Sequence, residues 1–203
     1  MRSEAENIIG IYRRHAQAWA ERRGPQVDVQ AGWLDRFLDV LPEAATVLDI
    51  GCGSGTPIGR YLLDHGCCLT GIDASQEMIQ IASEAIADAT WIVSDMRSLC
   101  LDTTFEGLIA WDSFFHLTPQ DQRRMFPVFR QHAAEGAVLM FTSGPNYGET
   151  MGTLKGEALY HASLDGEEYR ALLAENGFAV LDHVVEDPDC GRHTVWLAQK
   201  TPD

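Results

Sequence analysis

The amino-acid sequence predicts an α/β fold in which a doubly wound, mostly parallel sheet carries helices on both of its faces. From Ala45 onward, short apolar segments alternate with amphipathic or turn-rich stretches, as repeated strand–helix units do. Two further extended runs follow the last helical stretch, with only a short loop between them, and predict an antiparallel hairpin at the end of the sheet. The seven predicted strands are residues 46–50, 68–72, 90–94, 107–111, 137–142, 178–186 and 193–199.

The first forty residues predict two helices ahead of the sheet. Apolar and aromatic residues recur at helical spacing over two stretches, which Gly24-Pro25 separates. The first stripe contains Ile8, Tyr12, His15 and Trp19, and the second runs from Trp33 to Leu41 before Pro42. We therefore expect a single domain, residues 1–203, with a helical cap over residues 1–42 and an α/β core over residues 45–199.

Helix boundaries inside the core are marked by capping residues. Thr56 before Pro57 and Thr118 before Pro119 each resemble an N-cap followed by a first-turn proline. Asp165 with Glu168 predicts a capping box.

The stretch 144–162 contains many glycine and polar residues. We expect a long irregular connection there, of the kind that often forms a functional lid.

Composition excludes several classes of protein. The 203 residues include 30 acidic and 15 basic side chains, a net charge of −15, which argues against a nucleic-acid-binding surface. The sequence has no apolar run of about 20 residues and no signal-peptide pattern, so we expect no membrane partner. Five cysteines without metal-ligand spacing favour a reduced, cytoplasmic protein with no metal site.

The strongest motif is the glycine-rich turn after the first predicted strand. Residues 47–57 read V-L-D-I-G-C-G-S-G-T-P, so that a strand leads into Asp49 and then into glycines at positions 51, 53 and 55. Glycines allow the chain to turn sharply and let a ligand approach the backbone. This G-x-G-x-G spacing differs from the G-x-G-x-x-G dinucleotide pattern.

Two acidic residues end the next two strands. Asp73 ends the second strand, where a carboxylate can accept hydrogen bonds from two ribose hydroxyls. Asp95 follows the third strand and could accept a hydrogen bond from an exocyclic amine. The apolar side chain of Met96 beside it could pack on a purine ring. Because parallel strands end at one edge of the sheet, we expect both acids to line one crevice.

With these residues, the sequence resembles the class I S-adenosylmethionine-dependent methyltransferases of the small-molecule type with a helical cap. The resemblance covers residues 45–199, and the glycine motif matches from Asp49 to Gly55. It implies the strand order 3-2-1-4-5-7-6 and S-adenosylmethionine as the cofactor, with S-adenosylhomocysteine as product. The implied cofactor-binding residues are Asp49, Gly51, Cys52, Gly53, Gly55, Asp73, Ala74, Met78, Asp95, Met96, Arg97 and Trp111.

Five residues are candidates for contact with the reacting groups. Asp112 could orient an acceptor or hold its cationic amine, or instead cap the following helix. His116 could act as a base or be a core or helix-face histidine. His161 could act as a base or acceptor ligand or be a histidine of a surface loop. Tyr12 and His15 could lie on a lid over the cofactor, with Trp19, or simply dock the first helix.

The predicted activity is direct in-line transfer of a methyl group to the oxygen or nitrogen of a small molecule. The cap and the 144–162 connection are the only parts left over from the core to shape an acceptor site. A cofactor-binding protein without catalysis is the first alternative, and an NAD-dependent oxidoreductase is a weaker one because the glycine spacing differs.

Overall fold

The computed structural model describes residues 2–202, with the side chains of residues 4–202. The α-helices in this part of the chain are α1 (Arg2–Arg23), α2 (Ala31–Val40), α3 (Ile58–Asp64), α4 (Gln76–Ala85), α5 (Pro119–His132) and α6 (Gly166–Glu175). The strands are β1 (Thr46–Ile50), β2 (Cys68–Asp73), β3 (Thr90–Val93), β4 (Phe105–Ala110), β5 (Ala133–Ser143), β6 (Gly148–Leu154), β7 (Glu157–Ser163), β8 (Phe178–Asp187) and β9 (His193–Lys200). Short 3₁₀ helices span Met96–Ser98, Phe114–His116 and Pro188–Cys190.

The main sheet has seven strands in the order β3-β2-β1-β4-β5-β9-β8. Neighbouring strands from β3 to β5 pair in parallel, whereas β9 is antiparallel to both β5 and β8. This confirms the predicted fold class and strand order, in which β8 and β9 are the sixth and seventh predicted strands. The carboxyl ends of β1 to β4 therefore lie along one edge, which is where such folds bind ligands.

Helices cover both faces of this sheet. Side chains alternate along β5, so that Val138 and Met140 pack towards α2 and α3, while Leu139 and Phe141 pack towards α5 and α6. On the first face, the indole Nε1 of Trp33 donates to Asp187 Oδ2 at 2.8 Å, which fixes α2 against the end of β8. In residues 2–202, no helix is both long enough and apolar enough to cross a bilayer.

The stretch 144–162 is not an irregular connection, so that prediction was wrong. Strands β6 and β7 form a separate two-stranded antiparallel sheet. Lys155 and Gly156 connect them with φ values of 52° and 85°, the left-handed pair that a tight hairpin turn requires. The polar and glycine-rich composition of this stretch concealed the strands.

Predicted helix starts are confirmed in part. Thr118 caps α5, since its Oγ1 accepts from Asp121 N at 3.2 Å. Asp165 caps α6, but Glu168 does not complete the capping box because it pairs with Arg123. The prediction that Thr56 caps the next helix was wrong, because α3 begins at Ile58 with Pro57 as its N-cap and no side-chain cap.

Helix α1 lies against the β6–β7 hairpin. Ile8 and Ile11 pack with Leu159, Tyr160 and neighbouring apolar residues of the hairpin in a small cluster separate from the two sheet faces. This contact orients α1 across the edge at which the parallel strands end.

Trp91 of β3 fills the space beneath the glycine-rich turn. A Cβ added to Gly55 would lie 2.5 Å from the Trp91 ring, and one added to Gly71 of β2 would lie 2.3 Å from it. Gly55 also has a φ of +72°. Glycine is therefore required at position 55 for both the backbone conformation and the space that the indole occupies.

We expect Gly55→Ala to destabilise the protein more than Gly66→Ala. Gly66 has a comparable φ of +85° but nothing within 4 Å of an added Cβ, so its substitution costs only backbone strain, about 1–2 kcal/mol. Gly55→Ala adds overpacking against Trp91, about 1–3 kcal/mol more. Urea unfolding of both variants measures the difference, which should shrink in a Trp91→Leu background. Equal losses for the two variants would contradict the role given to Trp91.

Candidate functional site

A cavity of about 400 Å³ lies at the carboxyl edge of the sheet, beneath α1. This volume is within the range of small-molecule sites, about 300–1,000 Å³. Most of the residues that line it come from the ends of β1 to β4 and from α1, and the start of α5 adds Thr118, Gln120, Asp121 and Arg124. Those from the strand ends are Asp49, Gly51–Gly53, Asp73, Ala74, Ser94, Asp95, Met96, Arg97 and Trp111–Ser113, and those from α1 include Ile8, Ile9, Tyr12, Trp19 and Arg23.

The turn after β1 brings bare backbone to the cavity. Gly51 and Cys52 each donate their backbone N–H to Ile72 O of β2, at 2.8 and 2.9 Å. A Cβ added to Gly51 would lie 2.4 Å from Ser113 Cβ, so glycine is required for the close approach of the two chain segments. Gly55 does not line the cavity, because the turn directs it towards Trp91, so the geometry does not support its predicted cofactor contact.

Asp73 connects the second strand to this turn. Its Oδ2 accepts from Gly53 N at 3.0 Å, and its Oδ1 accepts from Ser75 N at 2.8 Å. Burial raises the pKa of Asp73, against the opposing effect of these two backbone donors. Each carboxylate oxygen keeps a further lone pair, so Asp73 can still accept from a ligand hydroxyl. Ala74 and Met78 follow it on the cavity wall.

Asp95, Met96 and Arg97 form the wall after β3. Arg97 Nε donates to both oxygens of Asp95, at 3.0 and 3.1 Å. Burial would raise the pKa of Asp95, but the hydrogen bonds from Arg97 outweigh it and lower the pKa. Asp95 is therefore an ionised acceptor at neutral pH.

The end of β4 contributes an unpartnered donor and a paired acid. Trp111 is 4% exposed, and within the described residues its indole Nε1 has no hydrogen-bond partner. Asp112 has a φ of +50°, and its carboxylate accepts from Arg23 Nη1 at 2.8 Å and from His193 Nε2 at 3.0 Å. Burial would raise the pKa of Asp112, but bonds and charges from His193 and Arg23 lower it. Asp112 does not cap the next 3₁₀ helix, whose N-cap is Ser113.

Tyr12 and His116 form a hydrogen-bonded pair on the cavity wall, 2.8 Å apart between Oη and Nε2. The Nδ1 of His116 faces the carbonyl oxygen of Tyr160 at 2.8 Å, so Nδ1 carries the ring proton and Nε2 accepts from the phenol. Burial, followed by the charge of His161, lowers the pKa of His116 to about 4. Burial, followed by Asp112 and Asp73, raises the pKa of Tyr12. Both groups are neutral at pH 7.

Two predicted catalytic histidines lie elsewhere. His15 departs from helical geometry and contacts Glu157 of β7, with 2.6 Å between Nε2 and Oε1. His161 lies behind His116, with its ring centroid 4.8 Å away, and faces a second, shallower cavity on the hairpin side. Neither residue lines the main cavity, so the geometry does not support the predicted contact of His15 and His161 with the acceptor.

Three residues of this region were not predicted from the sequence. Arg23 lies one turn after Trp19, so the predicted helical stripe could have been extended to it. Ser113 donates to Ile50 O at 2.6 Å and holds the turn after β4 against β1. His193 lies 81 positions from its partner Asp112, and no local pattern indicates the contact.

Comparisons with known proteins agree with this arrangement. Residues 47–136 match a family model described as a methyltransferase domain. The chain is 29% identical over 101 residues to a dTDP-3-amino-3,4,6-trideoxy-alpha-D-glucopyranose N,N-dimethyltransferase of Streptomyces venezuelae, covering 49% of this chain and 42% of that protein. It is 34% identical over 79 residues to an 18S rRNA (guanine-N(7))-methyltransferase of Mus musculus, covering 37% of this chain and 28% of that protein. The chain thus aligns with less than half the length of either relative.

Among solved structures, the complex of DhpI with S-adenosylhomocysteine superposes with a TM-score of 0.75 at 16% identity, covering 100% of both chains. At this identity the likeness establishes the fold. Together with the family match, it confirms the predicted resemblance: residues 47–136 match a methyltransferase domain, and the chain has the fold of the class I S-adenosylmethionine-dependent methyltransferases.

Proposed function

We propose that this protein is a cytoplasmic S-adenosylmethionine-dependent methyltransferase that methylates a small molecule. The observation that carries the proposal is the cavity of about 400 Å³ into which the glycine turn, Asp73 and Asp95 all project. These groups come from three consecutive strand ends, as the methyltransferase resemblance implies. The match of residues 47–136 to a methyltransferase domain supports the same function.

The residues present fit the cofactor. Asp73 would accept from the ribose hydroxyls, and Asp95 with Met96 would hold the adenine. The unpartnered Nε1 of Trp111 and the guanidinium of Arg23 would serve the carboxylate of the methionine moiety. Gly51 and Gly53 present backbone alone to the cavity, with Ser113 and the Trp19 ring on the sides where a Cβ would lie.

The main requirement that methyl transfer places on the protein is the orientation of the cofactor and the acceptor. When bound, S-adenosylmethionine supplies an electrophilic methyl group on a sulfonium and a neutral thioether as the leaving group. The chain's own contribution is to align the two reactants and to exclude water, which can be worth several kcal/mol. Tyr12 and Trp19 lie edge to face, 6.1 Å apart between ring centroids, and form an aromatic roof that suits a sulfonium cation.

The acceptor we propose is one whose nucleophile needs no strong base. Tyr12 is a neutral phenol, and His116 already uses its only ring lone pair to accept from Tyr12. A carboxylate oxygen is nucleophilic as it stands, and an amine can lose its proton after transfer. The amino-sugar relative acts on an amine, which is consistent with this class. The net charge of −15 disfavours RNA, despite the likeness to an rRNA methyltransferase.

We expect calorimetry to detect micromolar binding of S-adenosylmethionine and S-adenosylhomocysteine, and Asp73→Ala to weaken both by roughly 1–3 kcal/mol, the cost of losing charged hydrogen bonds. Asp64→Ala is the matched control, because Asp64 is an exposed acid on α3 outside the cavity. Failure of the folded wild type to bind either compound would refute the proposed function and return attention to NAD. Binding without turnover of any component of a metabolite extract would favour the non-catalytic alternative.

A second prediction concerns Tyr12. Tyr12→Leu should weaken S-adenosylmethionine more than S-adenosylhomocysteine, by a few fold, because only the former carries a sulfonium for the ring to attract. Tyr12→Phe keeps the ring and should keep the ratio of the two affinities near that of the wild type. Tyr61→Leu is the control, since Tyr61 hydroxyl donates to Asp35 away from the cavity. An unchanged ratio in Tyr12→Leu would place the ring away from the sulfonium.

A third prediction concerns pH. Burial, reinforced by Asp73 and opposed by Arg23, raises the pKa of Asp49 to about 7. Between the unfolded pKa near 4 and this value, the folded protein holds a proton that the unfolded chain does not. The free energy of unfolding should therefore fall as pH rises from about 4 to about 7, relative to Asp49→Asn, by about 1.4 kcal/mol for each pH unit. Urea unfolding at several pH values measures this, and parallel pH profiles would contradict it.

A further inference from the structure

His193 is the first residue of β9, and it lies behind Asp112 rather than on the cavity wall. Its Nδ1 is 2.7 Å from the carbonyl oxygen of Cys190, and its Nε2 is 3.0 Å from Asp112 Oδ1. Its ring is also 5.4 Å from that of Trp111, between centroids. The side chain is about three-quarters buried, with 25% of its surface exposed.

Both ring nitrogens of His193 must donate. A carbonyl oxygen accepts only, and Asp112 is an ionised acceptor because it also pairs with Arg23 at 2.8 Å. A ring that donates from both nitrogens is an imidazolium. The hydrogen bond to Asp112 correspondingly raises the pKa of His193. His116 shows the opposite arrangement, since one of its nitrogens accepts from Tyr12.

The imidazolium of His193 is connected to the cavity through Asp112 and Arg23. Asp112 has one oxygen held by His193 and the other by Arg23. Arg23 lies in the last turn of α1 and also contacts Trp19, with its guanidinium carbon 5.5 Å from the ring centroid. A guanidinium has five N–H donors in a fixed plane, so the direction of the bond to Asp112 determines where the others point.

The protonated state of His193 determines the charge of the cluster that it forms with Asp112 and Arg23. His193 and Arg23 carry two positive charges against one negative charge on Asp112, which leaves the cluster with a net charge of about +1 in a formal count. Cys190 adjoins His193, and Asp49, Asp73 and Tyr12 face the cluster from the cavity side. Without the proton on His193 the cluster is neutral and attracts an anion less.

We propose that His193 is a positioning residue for the methyl transfer: it orients Asp112, which directs Arg23 towards the carboxylate of the bound cofactor. This inference rests on the proposed function. His193 itself touches neither cofactor nor acceptor, so its effect appears in cofactor affinity and in the pH dependence of that affinity.

The test is calorimetric binding of S-adenosylhomocysteine between pH 6 and 8. His193→Phe removes the donor and the charge and should weaken binding at pH 6 by roughly 10-fold or more, the range for a lost charged hydrogen bond. His193→Gln places a neutral amide donor near the position of Nε2 and should recover part of this loss. Wild-type affinity should fall as pH rises and His193 loses its proton, whereas the affinity of His193→Gln should change less.

His183→Phe is the matched control. His183 is on the neighbouring strand β8, stacks on Trp196, and does not line the cavity. If the wild type does not bind S-adenosylhomocysteine, the proposed function fails. If the wild type binds and Asp73→Ala weakens binding, but His193→Phe behaves like His183→Phe, then the inference about His193 alone is overturned.

Nitrogen NMR of the wild type provides a measurement that does not depend on how the variants fold. Signals assigned to His193 should show both ring nitrogens protonated at pH 6, whereas His116 should show one. A neutral His193 ring at pH 6 would overturn the proposal.

Discussion

The ion pair between Arg23 and Asp112 holds α1 over the cavity at the edge of the sheet. It joins the last turn of α1 to the end of β4, with the two side chains 21% and 17% exposed. A charge buried to this degree destabilises the fold unless it is paired, so each partner constrains the position of the other. The ion pairs of Arg14 and His15 on α1 share the more exposed carboxylate of Glu157 and contribute less. The roof of the cavity is thus held by apolar contact with the hairpin, by this ion pair and by the hydrogen bond between Tyr12 and His116.

The parts of the site that the sequence predicts are those set by local chain geometry. The turn from β1 needs glycine because of its φ values and because Ser113 lies so close, and both requirements leave a recognisable pattern. Asp73 and Asp95 were predictable because an acid at the end of a parallel strand reaches the same edge whatever surrounds it. The alternation of strands and helices predicted the parallel sheet, and the family resemblance alone implied the order of its strands.

The remaining features depend on long-range packing, which a single sequence does not reveal. His15 and Tyr12 share the predicted stripe, yet the departure from helical geometry at His15 directs that residue to the hairpin and leaves Tyr12 on the cavity. The hairpin itself was missed because glycines and polar residues interrupt its alternation, although the sequence Lys155-Gly156 marks its turn. The partnership of His193 with Asp112 joins β9 to the end of β4, and neither sequence neighbourhood contains a sign of it.

The region of the site contains two histidines in opposite protonation states, His116 and His193, and each stabilises a different partner. His116 is neutral because its partners are a donor and an acceptor, and it stabilises a neutral phenol at the roof. His193 is charged because both of its partners are acceptors, and it stabilises a carboxylate beneath the cap. Burial at His116 and the hydrogen bond with Asp112 at His193, more than the intrinsic pKa of imidazole, set these states. In the proposed reaction, the neutral pair of Tyr12 and His116 would lie beside the methyl group that moves. The charged cluster of His193, Asp112 and Arg23 would hold the carboxylate that stays in place.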